Sequence, residues 1–162
     1  MDKLERLDKR IEELAADQEY AENVHKLSCF LGIKTQSALS LITETGDFKR
    51  FANAQQYASF LGLVPGEDSS GEDQTRLGIT KAGNRHLRTL LVEAAQGYSR
   101  GQIGHKSKEL KKRQEGNPPE VIAYADKANE RLRRRYYRMV LASNKRTNVA
   151  KTAAARELAW FI

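Results

Sequence analysis

Apolar residues recur at spacings of three and four from one end of this chain to the other, and that rhythm restricts the fold more than any other feature. Leu4, Leu7, Ile11 and Leu14 mark one stripe, Leu87, Leu90, Leu91 and Ala94 a second, and Val121, Ala125, Ala128 and Leu132 a third. Such spacing gathers side chains on one face of an α-helix, whereas a half-buried strand needs strict alternation. No segment alternates in that way, and no internal repeat is visible. The predicted fold class is therefore all-α, a multi-helix domain. At 162 residues one domain of ordinary size and a short helical arm fit, and two full enzyme domains do not.

The first stripe has the a/d rhythm of a coiled coil with charged residues between, so residues 1–23 are expected to form a coiled-coil-like helix. Two heptads at most precede Asp17 and Gln18, too few to be stable alone. The helix is expected to pack on another or to be the end of a longer coiled coil lying upstream of Met1. Residues 24–65 then carry Val24, Leu27, Phe30 and Leu31, a Gly32-Ile33-Lys34-Thr35 turn, and Ala38, Leu39, Leu41 and Ile42. A helix-hairpin-helix element fits, its backbone N–H groups facing a DNA phosphate. Such hairpins carry two glycines and here Lys34 stands in place of the second, so an ordinary helical turn fits equally well. Asn53 is placed to cap a helix that buries Tyr57, Phe60 and Leu61, ending at Gly62-Leu-Val-Pro65.

Residues 66–78 are polar and rich in Gly and Ser, which predicts an exposed loop. Thr80 is expected to cap the helix that follows, and residues 100–119, basic and closed by Gly-Asn-Pro-Pro, to be a mobile connection or a frayed helix. After Pro119 a long helix runs through Arg131-Leu-Arg-Arg-Arg-Tyr-Tyr-Arg138, residues 143–148 turn, and Val149–Ile162 form the last helix. Residues 79–162 thus make a basic helical part.

Charge is unevenly placed. The whole chain holds 28 Lys/Arg and 21 Asp/Glu, a net +7. Residues 1–75 hold 8 basic and 14 acidic residues, 8 − 14 = −6, and residues 76–162 hold 20 and 7, 20 − 7 = +13. A field of that size gathers polyanions, and each cation that neutralises a phosphate releases a counterion. Nucleic acid is the expected partner. The single cysteine, Cys29, excludes an internal disulfide and a thiolate-rich zinc site, and only His25, His86 and His105 could supply imidazole. Cys29, beside Phe30 and Leu31, reads as a small buried hydrophobe. No apolar run approaches the roughly 18 residues of a membrane span, so a soluble, cytoplasmic protein without membrane contact is expected.

Two constellations could carry chemistry. Ser69 and Ser70 lie in the Gly-flanked segment 66–78, and Arg76, Lys81, Arg85 and Arg88 follow closely. A serine hydroxyl presented to a phosphodiester needs such cations to hold and polarise the phosphate; loop serines without a catalytic role have the same composition. Further along, Arg131, Arg133, Arg134, Arg135 and Arg138 with Tyr136 and Tyr137 suit phosphate contacts and base stacking. An amphipathic helix with a solvated basic face would look alike.

In Gly-Asp-Phe-Lys-Arg-Phe51, Leu-Gly-Leu-Val-Pro65, Ser70-Gly71 and Gly78-Ile-Thr-Lys-Ala-Gly-Asn-Arg-His-Leu-Arg88 leading to Leu91-Val-Glu-Ala-Ala95, the chain resembles the C-terminal, serine-bearing part of the bridge-RNA-guided DEDD insertion-sequence transposases. The likeness runs from about Leu27 to Ile162. It implies that Ser70, with Ser69 as the other register, is a nucleophile forming a phosphoserine link to DNA. It also implies that Lys81, Asn84, Arg85 and Arg88 contact nucleic acid. Such transposases carry a separate N-terminal RNase H-like domain with four acidic residues holding Mg²⁺, joined through a coiled coil of which Leu4 to Leu14 would be a remnant. This chain has no cofactor of its own on that reading. It would bind DNA and a structured guide RNA, belong to a homo-oligomer when complete, and not recombine DNA alone. A non-catalytic helical DNA- or RNA-binding module is the alternative.

Overall fold

The computed structural model describes residues 2–70 and 73–162; the side chains of residues 67–77 lie outside the described set. The chain order is α1 (Lys3–Ala15), α2 (Ala21–Leu27), α3 (Thr35–Thr45), α4 (Ala54–Phe60), a β-hairpin of β1 (Pro65–Ser70) and β2 (Asp73–Ile79), then α5 (Arg85–Ala95), α6 (Lys108–Gln114), α7 (Pro119–Tyr137) and α8 (Thr147–Phe161). The fold is mostly helical, as the periodicity requires.

Helix α8 is the centre. It packs on α4, α5 and α7, and its buried residues Ala150, Ala154, Ala155 and Ala159 are small enough to let those helices approach closely, with Leu158 filling the space between. Leu87 and Leu91 of α5, Leu132 of α7 and Leu61 and Leu63 after α4 complete this core at 0% exposure. Burying each such side chain is worth about 1.5–3 kcal/mol. The helices start where their caps dictate. The Asp2 side chain and Glu5 form a reciprocal capping box on α1, Asn53 accepts from the Gln56 N–H on α4, and Pro119, whose fixed φ suits a first turn, opens α7.

The acidic and basic halves are tied together at the C-terminal end of α2. Carbonyls there are bonded from far along the chain: Arg113 donates to Ser28 O and, beside the Ile33 N–H, to Phe30 O, and Gln114 and Asn129 donate to Cys29 O. Asn129 also accepts from the Leu31 N–H. Gly32, at φ +84°, lies so close to α5 that an added Cβ would stand 2.3 Å from Ala94 O. The turn between α2 and α3 thus spends its glycine on internal packing. Cys29 is fully buried, as expected, and burial pushes its thiol pKa up.

Three expectations need correction. Residues 66–78 are not a loop throughout: β1 and β2 pair antiparallel, Glu67 opposite Arg76 and Ser70 opposite Asp73, with an irregularity between Pro65 and Glu67. Backbone pairing makes these strands, which is why side-chain alternation did not announce them. Helix α5 is capped by Asn84, whose side chain accepts from the Leu87 N–H, and not by Thr80. Residues 100–119 contain an ordered helix, α6, with Ser107 as its cap and Leu110 buried. On α1, Leu4 and Leu7 are 67% and 54% exposed and only Ile11 packs against the core, so most of the seam meets nothing among the described residues.

Candidate nucleic-acid interface

The base of the β-hairpin is clamped by the segment that follows it. Thr80 N donates to Val64 O, Lys81 N to Gly62 O, and Asn84 N to Phe60 O. Gly83 makes this approach possible, since an added Cβ would stand 2.3 Å from Phe60 O. The clamp forces Lys81 to φ +55°, a conformation uncommon for any residue but glycine, and leaves its side chain exposed. Arg85, first residue of α5, is also exposed. Neither has an acidic partner among the described residues. Two unpaired cations at a helix N-terminus oppose the dipole, a cost that a bound anion would offset.

The other motif residues face inward or sideways. Arg88 donates from Nη1 to Leu61 O at 3.0 Å, closing the C-terminal end of α4. Asn84, besides capping α5, donates to Glu44 Oε2 at 2.9 Å, and Glu44 Oε1 meets His86 Nδ1. Partial burial of Glu44 opposes ionisation, but these two bonds outweigh it and hold its carboxyl below the usual range. Ser69 and Ser70 have their backbone at the far end of β1, paired with Gln74 and Asp73, and Arg76 has its backbone in β2. The side chains of all three lie outside the described residues.

The second cluster is divided by helical phase. Arg131, Arg134, Arg135 and Arg138, spaced 3, 1 and 3, line one side of α7 and a groove of about 1250 Å³ together with Lys127 and Leu141. Arg134 pairs with Glu130 one turn back, and Arg138 is exposed without an acidic partner among the described residues. Arg133 is turned the other way, contrary to its expected place at the surface. It is 8% exposed and donates to Gln102 O and His105 O, at 2.5 and 3.2 Å, so it anchors the 100–105 segment. Tyr137 donates to Gly101 O in the same cause, and Tyr136 is buried. Tyr136 is therefore not free to stack on a base, whereas Tyr137 is half-buried and lines the same groove as the arginines.

Two residues of this region had escaped sequence reasoning. Glu157 of α8 is 2% exposed, accepts from Arg131 Nε at 2.5 Å, and has Arg135 Nη1 at 2.9 Å from its second oxygen without hydrogen-bond alignment. Its neighbour Arg156 lines a smaller groove with Lys81, Pro65 and Ile79 at the hairpin base. Burial, then the like charge of Arg135, lowers the Arg156 pKa, and its Nε has no partner among the described residues. A lone acid amid Ala154, Ala155 and Leu158 was the available signal.

The profile of the Transposase IS116/IS110/IS902 family matches residues 24–111, more than half of the chain. The chain belongs to that family. Protein y4qE of Sinorhizobium fredii is 43% identical over 84% of the chain and 34% of its own length. The transposase for insertion sequence element IS1111A of Coxiella burnetii is 38% identical over 55% of the chain and 24% of its own length. That for IS1533 of Leptospira borgpetersenii is 30% identical over 82% and 38%. The chain therefore spans between about a quarter and two fifths of the length of these transposase-family relatives. Among the described residues no three His, Cys, Asp or Glu side chains stand together as a metal site, and no helix is long and apolar enough to cross a membrane.

Proposed function

We propose that this chain is the serine-bearing, nucleic-acid-binding part of a DNA transposase. The observation that carries the reading is the clamp at the hairpin base, which presents exposed Lys81 and Arg85 beside the β-hairpin that ends in Ser70, in a chain of a transposase family. In the proposed step Ser70 Oγ gives up its proton and bonds to a DNA phosphorus while one P–O bond to a sugar breaks, leaving a phosphoserine link and a sugar hydroxyl. Lys81 and Arg85, at the opposite end of the hairpin from Ser70, hold the neighbouring DNA backbone, and Arg88, Asn84 and Gly83 keep that segment in place. Ser69 is the alternative nucleophile. Arg76 of β2, opposite Glu67 and nearer to Ser70, is assigned to the DNA backbone between Ser70 and Lys81.

A phosphoryl transfer gains little from a lone hydroxyl without a base or metal. Mg²⁺ would come with a separate acidic RNase H-like domain, and the chain alone would bind DNA or a structured guide RNA without recombining it. The complete transposase is assigned as a homo-oligomer with α1 continuing into a coiled coil. The test is a suicide DNA substrate offered to the complete transposase: a covalent protein–DNA adduct is expected, lost in Ser70→Ala and kept in Ser69→Ala. An adduct of the same yield in Ser70→Ala would remove Ser70 from the role.

A further inference from the structure

A lock between two helices needs one arginine for one carboxylate. Glu157 has two in contact, Arg131 and Arg135, and both line the groove along α7, where with Lys127, Arg134 and Arg138 they outnumber the carboxylates Asp126 and Glu130. The manner of attachment is informative. Arg131 is held by its Nε alone, and its side chain remains 61% exposed, so the four N–H bonds of its two terminal nitrogens are not used by Glu157. Fixing Nε fixes the guanidinium plane. A free arginine side chain carries large rotamer entropy that it loses on binding, and a guanidinium already held in plane loses less for each hydrogen bond formed. Along the same helix face Lys127, Arg134 and Arg138 line the groove, while Arg133 is removed from it by its bonds to Gln102 and His105.

We propose that Glu157 is a positioning residue for DNA binding: from inside the α7–α8 contact it aims Arg131 and Arg135 into the α7 groove, where they take the phosphodiester backbone. The proposal rests on the reading of the chain as DNA-binding and adds the residue that organises the surface. The rival role, a purely structural tie between α7 and α8, makes the opposite prediction about charge. Replacing Glu157 by Gln removes one negative charge, so a tie without a positioning role leaves DNA affinity unchanged or raised. Loss of positioning lowers it.

The experiment is equilibrium binding of a short DNA duplex to the 162-residue chain across a salt series, with helix content and melting followed by circular dichroism. For Glu157→Gln the expected result is affinity about fivefold or more weaker at ~0.1 M salt, and a salt slope shallower by up to about 1.8, since each phosphate contact contributes roughly 0.9. A folded Glu157→Gln chain binding as well as the wild type overturns the proposal. Should that variant unfold, Glu157→Asp decides, because it keeps the charge and draws the carboxylate back from Arg131 and Arg135. Weaker DNA binding at unchanged net charge supports positioning, and wild-type affinity overturns it. A wild-type chain without salt-dependent binding overturns the DNA-binding reading as well, so the two failures are distinguishable.

Discussion

The hairpin base and the arginine-rich stretch of α7 are both dense in cations, yet they use them differently. At the hairpin base Arg88 is spent on the Leu61 carbonyl and Asn84 on the α5 cap and Glu44, so that of the described motif cations Lys81 and Arg85 face outward. Of the five arginines in this stretch, four on α7 and Arg138 just past its end, Arg133 is spent inside, and a buried carboxylate on α8 organises two of the others. Basic residues of this chain thus divide into those that tie backbone together and those that face outward, and motif membership does not sort them. Orientation does.

The largest test of that division lies in the backbone of the clamp. Gly83→Ala would drive a Cβ to 2.3 Å from Phe60 O at a φ of +151°, and an expected loss of at least ~2 kcal/mol should appear as a sharply lower melting temperature. Next comes the contrast within α7. Arg133→Ala removes the charged donor from Gln102 O and His105 O, leaving Gln102 O only the His105 N–H, and should cost about 1.5–3 kcal/mol, whereas Arg138→Ala should change stability by less than ~0.5 kcal/mol and weaken DNA binding. If the two variants exchanged these signatures, the division would be wrong. The smallest effect concerns Glu44. Its carboxyl pKa is depressed in the fold, so its contribution is present above the ordinary carboxylate pKa near ~4.3 and is lost as the pH falls through the folded value. Glu44→Gln should therefore lower the melting temperature at neutral pH, and the difference from wild type should close on acidification below about pH 4.

Much of the helical framework could be read from residues alone. Asn53 and Pro119 announced α4 and α7, and the stripes of α5 and α7 were carried by Leu87, Leu91, Ala128 and Leu132, all buried. The hairpin was hidden because Pro-Gly-Glu-Asp-Ser-Ser of β1 holds no β-branched or aromatic residue, and pairing rather than side-chain pattern makes the strand. Thr80 and Asn84 are both capable caps, and tertiary bonds of residues 80, 81 and 84 to the chain before the hairpin decided between them. Of the candidate site, Lys81, Arg85, Arg131, Arg134, Arg135 and Arg138 lie at accessible positions on the fold. Arg133 was legible in principle: it follows Asn129 by one turn on the side of α7 that meets the α2 end and the 100–105 segment, away from Arg131 and Arg134. Glu157 left a fainter signal, a lone acid amid Ala154, Ala155 and Leu158, which marks burial but not the arginines of α7 that pair with it.

The central claim is that the outward cations of this transposase-family chain serve a polyanion. Lys81, Arg85, Lys127 and Arg138 are exposed without acidic partners among the described residues. The direct measurement is the affinity of the chain for duplex DNA between about 50 and 200 mM salt. A fall of about tenfold or more, reduced when Arg85 and Arg138 are replaced together by Gln, is predicted. Affinity that stays flat with salt, or that ignores those two replacements, would contradict it.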